Sequence, residues 1–437
     1  MSTRSSLKRR LFTLTGAALA LGLTAACGNG DGGSTDEITM WTFLDPSGSS
    51  GREQVLGDLI ESYEEETGIT VNVEVQQWDT MTQQFLAADV SGSAPDVMWV
   101  ALDQVANAVE QGALADLNSL ALGDLPEDQL SELRDVYWET METDDGAIYG
   151  VVHSRNYFGI MYRADLLDEA GVDPDEIQSW DDLTVAAEAL TAPDQNRWGL
   201  GQAFATSFAD PQILSARLVE SQGAMFGDDG TPLWTTPEGV AALEFQSQFV
   251  TEGQVTPEDA VRLTAEDLYE LFSAGQVAMI NAASVRVPTM QEQVGVENVG
   301  FMHYPSEGGE APAPGNLAGW SVGVWSGSEA TEAAADFVAH LSSPEADKQW
   351  LLDAQQPPLY ASTAEENADF LDEPENEFLS VALEGSEDYG WLPPTDVPTA
   401  GWREALNTAV QQVLLGEATA EEAMAAAEQS VGAVGNG

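Results

Sequence analysis

The sequence predicts an α/β fold in which a mostly parallel sheet carries helices on both faces. Near the N-terminus, short β-rich runs alternate with segments whose apolar residues recur at helical spacing, in the order strand, helix, strand, helix, strand. Hydrophobic residues make up 43% of the 437 residues, which argues against disorder despite a large net charge. A chain of this length also favours two domains over one.

The first predicted elements follow one another closely. A β-rich run at residues 38–43 precedes a helix that Ser50 and Glu53 open as a capping box and Gly68 ends. Alternating apolar residues at 69–75 then predict a second strand. A second helix carries Met81, Phe85 and Leu86; a buried strand follows at residues 97–100, and a third helix ends near Gly112.

The alternation continues further along the chain. Strands are predicted at residues 149–152, 158–162 and 277–280. Capping patterns at 179–182 and 264–267 each open a helix. The stretch 307–316 is rich in Gly, Pro and Ala and predicts a surface loop.

The N-terminal segment is typical of a signal peptide, predicted at residues 1–26. Basic residues lie within positions 4–10, and residues 11–26 are uncharged and mostly apolar. This run is short for a membrane span, which takes about 20 residues, but suits a signal-peptide core. The pair at positions 9 and 10 is arginine, so export by either the Sec or the twin-arginine route stays open.

Cys27 is the single cysteine of the chain and directly follows two alanines. The tetrapeptide TAAC at residues 24–27 resembles a bacterial lipobox, in which the cysteine sulfur takes a diacylglycerol and becomes the first mature residue. An ordinary secretory signal with an incidental cysteine is the alternative. The lipobox interpretation implies that residues 27–37 are a lipidated cysteine and a flexible tether, which would hold the protein at the extracellular face of the cell membrane.

The charge of the chain is strongly negative. The formal net charge is −60; the segment before Cys27 holds four of the 14 basic residues and no acidic one, so the mature chain sets ten basic residues against 74 acidic ones, a charge of −64. Such a surface would repel nucleic acid and bare anionic lipid. The acidic excess favours solubility. This composition also resembles that of proteins adapted to high salt, where screening relieves the repulsion between carboxylates.

Six stretches of the chain, from about residue 37 to the end, resemble the extracellular solute-binding proteins of ABC importers, in their large sugar-binding group. They occur in that family's order and read YEEETGITVNVE, GSAPDVMWVALDQVANAVEQGALADL, GAIYGVVHSRNYFGIMYRADLLDEAGVDP, MFGDDGTPLWTTPEGVAAL, FSAGQVAMINAAS and AGWSVGVWSGSEATEAAADFVAHLSSPEA. The resemblance implies a type II two-lobed periplasmic-binding-protein-like fold. One lobe would hold 38–155 with 326–370 and the other 156–325 with 371–437, with a hinged ligand cleft between them.

The same resemblance implies a function. The protein would be a lipid-anchored, monomeric, non-enzymatic binding protein that captures an uncharged mono- or oligosaccharide and passes it to the membrane subunits of an ABC permease, without a cofactor or metal.

Candidate ligand contacts lie just after predicted strands, because ligands of open α/β sheets bind beyond the carboxyl ends of strands. Carboxylates and amides pair with adjacent sugar hydroxyls, and aromatic faces cover the C–H side of a sugar ring. Matching the family's motifs suggests that Asp45 and Asp103 take hydroxyls and that Trp320, in a loop beside a crossing strand, stacks. Turn or cap roles for the aspartates and core roles for the tryptophans are the alternatives. The full candidate set is Phe43, Asp45, Asp103, Asn156, Tyr157, Asn281, Ser284, Trp320 and Trp391.

Other classes of function have weaker signals. Residues 319–323 match the G-x-S-x-G of serine hydrolases, but the alternation predicts a strand that continues through the serine, and His340, the only later histidine, lies in the next predicted helix. The three histidines are widely spaced, which does not favour a metal site. A lipid-anchored glycosidase is the main enzymatic alternative because carboxylates are abundant, and a surface adhesin is the structural one.

Overall fold

A computed structural model describes residues 36–133, 136–143, 146–205, 211–227, 230–257, 259–392 and 401–434. The predicted signal peptide, the lipidation site Cys27 and the tether up to residue 35 lie outside the described residues. No described helix is both long and apolar enough to cross a membrane.

Strands occur at nine places in the described chain. They are β1 (Glu37–Thr42), β2 (Thr70–Val75), β3 (Val97–Ala101), β4 (Val151–Arg163), β5 (Trp198–Gly201), β6 (Val277–Ala283), β7 (Val299–Met302), β8 (Gly315–Val324) and β9 (Gly390–Trp391).

Helices fill most of the intervening chain. They are α1 (Gly51–Thr67), α2 (Met81–Ser91), α3 (Leu102–Glu110), α4 (Glu127–Leu133), α5 (Ala164–Ala170), α6 (Trp180–Leu190), α7 (Gln212–Gln222), α8 (Pro237–Thr251), α9 (Ala265–Ser273), α10 (Val287–Val294), α11 (Thr331–Leu341), α12 (Pro344–Ala354), α13 (Ala361–Glu366), α14 (Ala368–Leu371), α15 (Glu377–Asp388), α16 (Trp402–Leu414) and α17 (Ala420–Val434).

The N-terminal elements form the predicted βαβαβ unit. β1 pairs in parallel with β2 and with β3, with Ile38 opposite Val71 and Met40 opposite Val97. Ser50 and Glu53 form the expected capping box at α1, and Gly68 ends that helix with a φ of +74°, a conformation that favours glycine. The capping boxes at Ser179 and Thr264 are confirmed as well.

Two long strands join this unit to a second sheet. β8 pairs antiparallel with β3 and β4, which gives the order β2-β1-β3-β8-β4. Residues 158–163 of β4 then pair antiparallel with β6 and β7, and β5 lies parallel beside β6. The sheets are therefore mixed rather than mostly parallel, because β4 leaves the first sheet and β8 returns to it in the opposite direction.

Two sequence predictions need correction here. Residues 155–157 were expected to follow a strand, but they lie within β4. His153 and Ser154, just before them in the same strand, are polar yet buried, because the strand crosses the molecule at this point. The stretch 307–316 is a loop only as far as residue 314, and its last two residues begin β8, with Asn316 buried.

Hydrophobic cores pack against both sheets. Against the first sheet, Leu56 of α1, Phe337 of α11 and Trp350 of α12 pack with residues of β1 and β3. Trp180 and Leu183 of α6 pack against the second sheet. A further core joins α7, α8, α16 and α17. The carboxyl ends of β1 and β3 and those of β5 and β6 are the edges where a ligand site is expected.

Candidate functional site

An aromatic pair lies at the carboxyl edge of the first sheet. Phe43 directly follows β1, and Trp320 of β8 stands opposite Ala101, the last residue of β3. The two ring centroids are 4.9 Å apart with the planes inclined by 55°. Both residues are partly buried, and Phe43 rests edge-on against the buried Trp99 at 5.1 Å. The structure thus brings two predicted site residues together, although Trp320 lies in a strand and not in a loop.

Close packing of β4 and β8 sets the position of Trp320. Gly319 faces Arg155 in the antiparallel register. A Cβ atom at Gly319 would lie 1.9 Å from the carbonyl oxygen of Ser154, so only glycine fits this approach. The next residue, Trp320, is thereby held against the edge of the sheet.

Arg52 extends this edge and was missed by the sequence analysis. Its guanidinium carbon lies 5.6 Å from the centre of the Phe43 ring, and its Nη2 donates a hydrogen bond to Ser154 Oγ at 3.3 Å. The Nε atom is buried without a described hydrogen-bond partner. Burial, and then the positive charge of Arg286, lower the pKa of Arg52 to about 10. The sequence did contain a signal: Arg52 lies in the first turn of a predicted helix, where a cation is unfavourable, and the chain has few basic residues.

A pocket lies at the carboxyl ends of β5 and β6. No described residue that lines it carries a formal charge, although the chain has 74 acidic residues. Amides and aromatic rings make up much of its wall. The lining residues are Phe158, Gln202, Ala203, Phe204, Gln212, Ile213, Gln246, Ala265, Leu268, Tyr269 and Asn281.

The amides of the pocket are held by one another. Gln202 Nε2 donates to Thr256 Oγ1 at 3.2 Å, and Gln246 Nε2 donates to Gln202 Oε1. Gln212 Nε2 lies 3.4 Å from Asn316 Oδ1. The Oε1 atoms of Gln212 and Gln246 are buried and have no described donor. These two oxygens are therefore acceptors that the described protein leaves unused.

Arg286 lies beside the pocket wall. It follows β6 in a short 3-10 turn, and its guanidinium carbon lies 4.4 Å from the centre of the Tyr269 ring, which lines the pocket. It also forms an ion pair with Glu266. Since Arg286 also acts on the pKa of Arg52, the two guanidinium groups lie within electrostatic range of each other.

Asp103 and Trp391, both predicted site residues, belong to one cluster. Asp103, in the first turn of α3, pairs with Arg403 of α16. The Arg403 guanidinium carbon lies 4.6 Å from the Trp402 ring, whose centroid is 5.9 Å from that of Trp391. Trp391 is only 9% exposed and packs in the core that α16 and α17 share. A charged pair therefore stands beside an aromatic group that is mostly core.

The remaining predicted contacts have more varied surroundings. Asp45 is exposed and accepts bonds from the backbone and hydroxyl of Ser47 at 2.9 and 2.7 Å, which lower its pKa. Asn281 accepts a bond from the Tyr304 hydroxyl and also lines the pocket. Asn156 has a buried Oδ1 without a described donor.

Tyr157 and Ser284 are fully buried. The backbone N–H of Tyr157 donates to Ser284 Oγ at 3.3 Å, and its hydroxyl lies 3.0 Å from Nδ1 of His303. The ligand roles of all these residues stay predictions.

The hydrolase motif has the wrong surroundings for catalysis. Ser321 lies within β8, paired with Val100 and Val152, and its hydroxyl donates to the Val100 carbonyl at 3.3 Å. A hydrolase nucleophile would stand on an exposed turn between a strand and a helix. His340 lies in α11, with its Nε2 3.1 Å from the Leu59 carbonyl. Among the described residues, no group of three or more His, Cys, Asp or Glu could hold a metal ion.

Comparisons with known proteins agree with this architecture. The chain is 26% identical over 314 residues to the putative ABC transporter periplasmic-binding protein YcjN of Escherichia coli, which covers 71% of this chain and 70% of that protein. It is 24% identical over 356 residues to an arabinooligosaccharide-binding protein of Halalkalibacterium halodurans, with 77% and 74% covered.

Solved structures show the same two-lobed α/β fold. An ABC transporter solute-binding protein of Thermotoga lettingae, bound with α-D-tagatose, matches with a TM-score of 0.80 and 22% identity over 92% of this chain and 100% of that one. An ABC substrate-binding protein of Listeria monocytogenes, in complex with cycloalternan, matches with a TM-score of 0.78 and 25% identity over 92% and 99%.

The family model described as bacterial extracellular solute-binding protein matches residues 58–377. That match spans most of the chain, and the protein therefore belongs to the bacterial extracellular solute-binding proteins.

Proposed function

We propose that the protein is the substrate-binding lipoprotein of an ABC-type sugar importer and that its ligand is an uncharged mono- or oligosaccharide. The observation that carries this proposal is the pocket at the ends of β5 and β6, whose described lining is free of charge in a chain of net charge −60. Amides exchange paired hydrogen bonds with sugar hydroxyls, and aromatic rings cover the apolar face of a sugar. The relatives named for arabinooligosaccharide, tagatose and cycloalternan binding support the same class of ligand.

Capture would proceed by closure of two lobes around the ligand. We propose lobes of residues 38–155 with 326–370 and of residues 156–325 with 371–437. The course of β4 supports a boundary near residue 157, because its pairing passes there from β8 to β6 and β7. The aromatic pair Phe43–Trp320 would then lie at the boundary between the lobes, since these bounds put Phe43 in the first lobe and Trp320 in the second. Closure buries the ligand and gives a form that an ABC permease can distinguish from the open one.

The N-terminal segment would place this binding protein at the membrane. Lipidation of Cys27 would anchor a monomer at the extracellular face of the cell membrane, with residues up to 37 as the tether. The family supports an extracellular location. A net charge this negative also disfavours binding of nucleic acid, so no such partner is proposed.

A non-enzymatic role is part of the proposal. The relatives and structures described above are named as binding proteins, which gives no support to the glycosidase alternative. A surface adhesin would not need a pocket lined with unused hydrogen-bond acceptors. Incubation with oligosaccharides, followed by chromatography of the products, distinguishes binding from hydrolysis.

The decisive experiment is a ligand screen on the mature domain. Thermal unfolding is followed against neutral mono- and oligosaccharides, uronic acids, amino acids and peptides, at low and at high salt, and hits are titrated by calorimetry. We expect one group of neutral sugars to raise the melting temperature by mass action. Gln212→Ala should weaken the binding of that group, whereas Gln349→Ala, which removes an exposed hydrogen bond from α12 to Asp58 of α1, should not. Stabilisation by amino acids or peptides alone would refute the proposal.

A further inference from the structure

Five arginines of the described chain form ion pairs with carboxylates, and Arg52 is not one of them. Described ion pairs join Arg163 to Asp165, Arg197 to Glu169 and Arg217 to Glu307, at 2.7, 3.1 and 2.5 Å. Arg286 and Arg403 are paired too. Arg52 has no carboxylate within hydrogen-bond distance among the described residues, although the chain offers seven acidic residues for each basic one in its mature part.

The surroundings of Arg52 leave its donors underused. Its one described hydrogen bond goes to the neutral Ser154 hydroxyl, and its Nε–H is buried without an acceptor. A guanidinium has five N–H donors in a fixed planar fork. Leaving a buried charged donor unmatched costs free energy, so a guanidinium without a carboxylate partner at the edge of the first sheet calls for an acceptor from outside the chain.

The position of Arg52 favours an acceptor at the edge of the first sheet. Its guanidinium covers the ring of Phe43, which touches Trp320, at the edge of the first sheet. Arg286, within electrostatic range, covers Tyr269 in the wall of the pocket that belongs to the second sheet. Two cations within electrostatic range of each other repel, and an oxygen-rich group that approaches both would relieve that repulsion. The positive charge of Arg286 also lowers the pKa of Arg52.

Resting on the proposed function, we infer that Arg52 is a specificity-determining ligand contact that donates in bidentate fashion to two adjacent hydroxyl oxygens of a neutral sugar. Phe43 and Trp320 supply the aromatic surface beside it. A neutral ligand fits better than an acidic one for two reasons. The described pocket lining is uncharged, and the field of a chain with a net charge of −60 repels anions at a distance.

The test uses the mature domain and the neutral sugar that the screen identifies. Arg52→Gln removes the charge and the fork, and Arg52→Lys keeps the charge but removes the fork. Both should weaken affinity by roughly 10- to 100-fold, the scale of hydrogen bonds to a charged group. Arg197→Gln is the matched control: it breaks an ion pair at the opposite, amino end of β5, and affinity should not change.

A second measurement distinguishes a direct contact between Arg52 and the sugar from a purely structural role of Arg52. A set of deoxy sugars is titrated against the wild type and Arg52→Gln. Removing one particular sugar hydroxyl should weaken binding to the wild type about tenfold. The same removal should leave binding to Arg52→Gln unchanged, because the variant already lacks the donor that this hydroxyl contacts. The melting temperature of the ligand-free variant should change little, because the variant loses one hydrogen bond to Ser154 and leaves no described carboxylate without its partner.

The outcomes are distinct. If the wild type binds neutral sugars and Arg52→Gln binds them equally well, the inference fails and the proposed function stands. If Arg52 governs a stronger binding of uronic acids, the neutral class is wrong. If no sugar binds the wild type at all, the proposed function itself fails.

Discussion

Asp103, in the first turn of α3, forms an ion pair with Arg403, in the first turn of α16 and 300 positions further along the chain. Arg403 is bound to Oδ2 of the carboxylate, and Oδ1 has no described hydrogen-bond donor. The pair is about three-quarters buried, with side-chain exposures of 25% and 23%. A ligand hydroxyl could therefore add to the pair at Oδ1 without breaking it.

Replacing Asp103 by Asn should separate its structural role, the ion pair with Arg403, from its predicted role as a ligand contact. Asn keeps the shape but removes the charge that holds Arg403, so the melting temperature should fall by a few degrees, as expected for a partly buried pair. If Oδ1 receives a sugar hydroxyl, affinity should also fall about tenfold, the scale of one hydrogen bond to a charged acceptor. Calorimetric titration and thermal unfolding measure both quantities. An unchanged affinity would mean that Asp103 serves Arg403 alone.

Trp320→Ala tests the aromatic wall. If Trp320 stacks on a sugar ring, its removal should weaken affinity by about 1–3 kcal/mol, the scale of one buried aromatic contact. The melting temperature without ligand should change little, because the side chain is only partly buried. Trp234→Phe is the control, since that ring is fully buried in the core around α7 and α8 and should affect stability alone. A large loss of stability with intact affinity would make Trp320 a core residue.

His153 should make the protein less stable in acid. Its ring is fully buried between Trp99 and Trp350, at 5.2 and 4.5 Å, and neither ring nitrogen bonds another described residue. Burial, and then the charges of Arg52 and Arg155, lower its pKa from 6.5 to about 3. The unfolded chain takes up a proton below pH 6.5 while the folded chain does not, so the free energy of unfolding falls as the pH falls from 6.5 towards 3.

The variant His153→Phe isolates this effect. Phenylalanine keeps an aromatic ring between the two tryptophans and cannot take up a proton. Denaturant unfolding at pH 7 and pH 4.5 should therefore show a smaller difference for the variant than for the wild type. Equal differences in the two proteins would show that His153 does not contribute.

Salt should stabilise the mature domain. With a formal charge of −64 its carboxylates repel one another, and this repulsion is screened over about 10 Å at 0.1 M salt and about 3 Å at 1 M. Calorimetric scans from dilute buffer to molar sodium chloride should show a steep rise in melting temperature. A flat response would mean that the carboxylates are already relieved by their own arrangement, and adaptation to high salt would be ruled out.

Processing at Cys27 is tested on the native protein. Mass spectrometry should find a mature N-terminus at Cys27 that carries a lipid. Cys27→Ala should release the protein from the membrane and leave ligand affinity unchanged, because the cysteine is predicted to lie in the lipidated tether, outside the binding domain. Loss of affinity in that variant would show a structural role for the thiol.

Local sequence signals predicted the N-terminal unit well. Capping pairs such as Ser50 with Glu53 act over three residues, and the alternation in residues 69–75 depends on one strand, so both are visible without the tertiary fold. The buried polar residues of β4 gave the opposite signal. His153 and Ser154 look like loop residues, and only the pairing of β4 with β8 explains why they lie in a strand.

The candidate site likewise contains residues that local sequence signals predict and residues whose surroundings depend on the tertiary fold. Phe43 was proposed as a ligand contact because it follows β1, and Asn281 because the predicted strand ended at residue 280, although β6 continues to Ala283; both proposals rest on local signals. Arg52 was missed because its significance depends on lacking a carboxylate partner, and a sequence does not show partners. The ion pair of Asp103 with Arg403 was invisible for the same reason, since it joins helices that lie far apart in the chain.

Strand β4 belongs to both sheets; after one register shift against β8 between Val152 and Ser154, it continues unbroken into the second sheet and fixes the register of the two sheets relative to each other. Side chains alternate along a strand, so one residue added between positions 157 and 158 would turn every later side chain of β4 to the opposite face. The insertion would also move the second sheet by about 3.3 Å along the strand. Loops around the pocket can change in length as ligands change. The distance along β4 from the first sheet to the second, by contrast, can change only in steps of one residue.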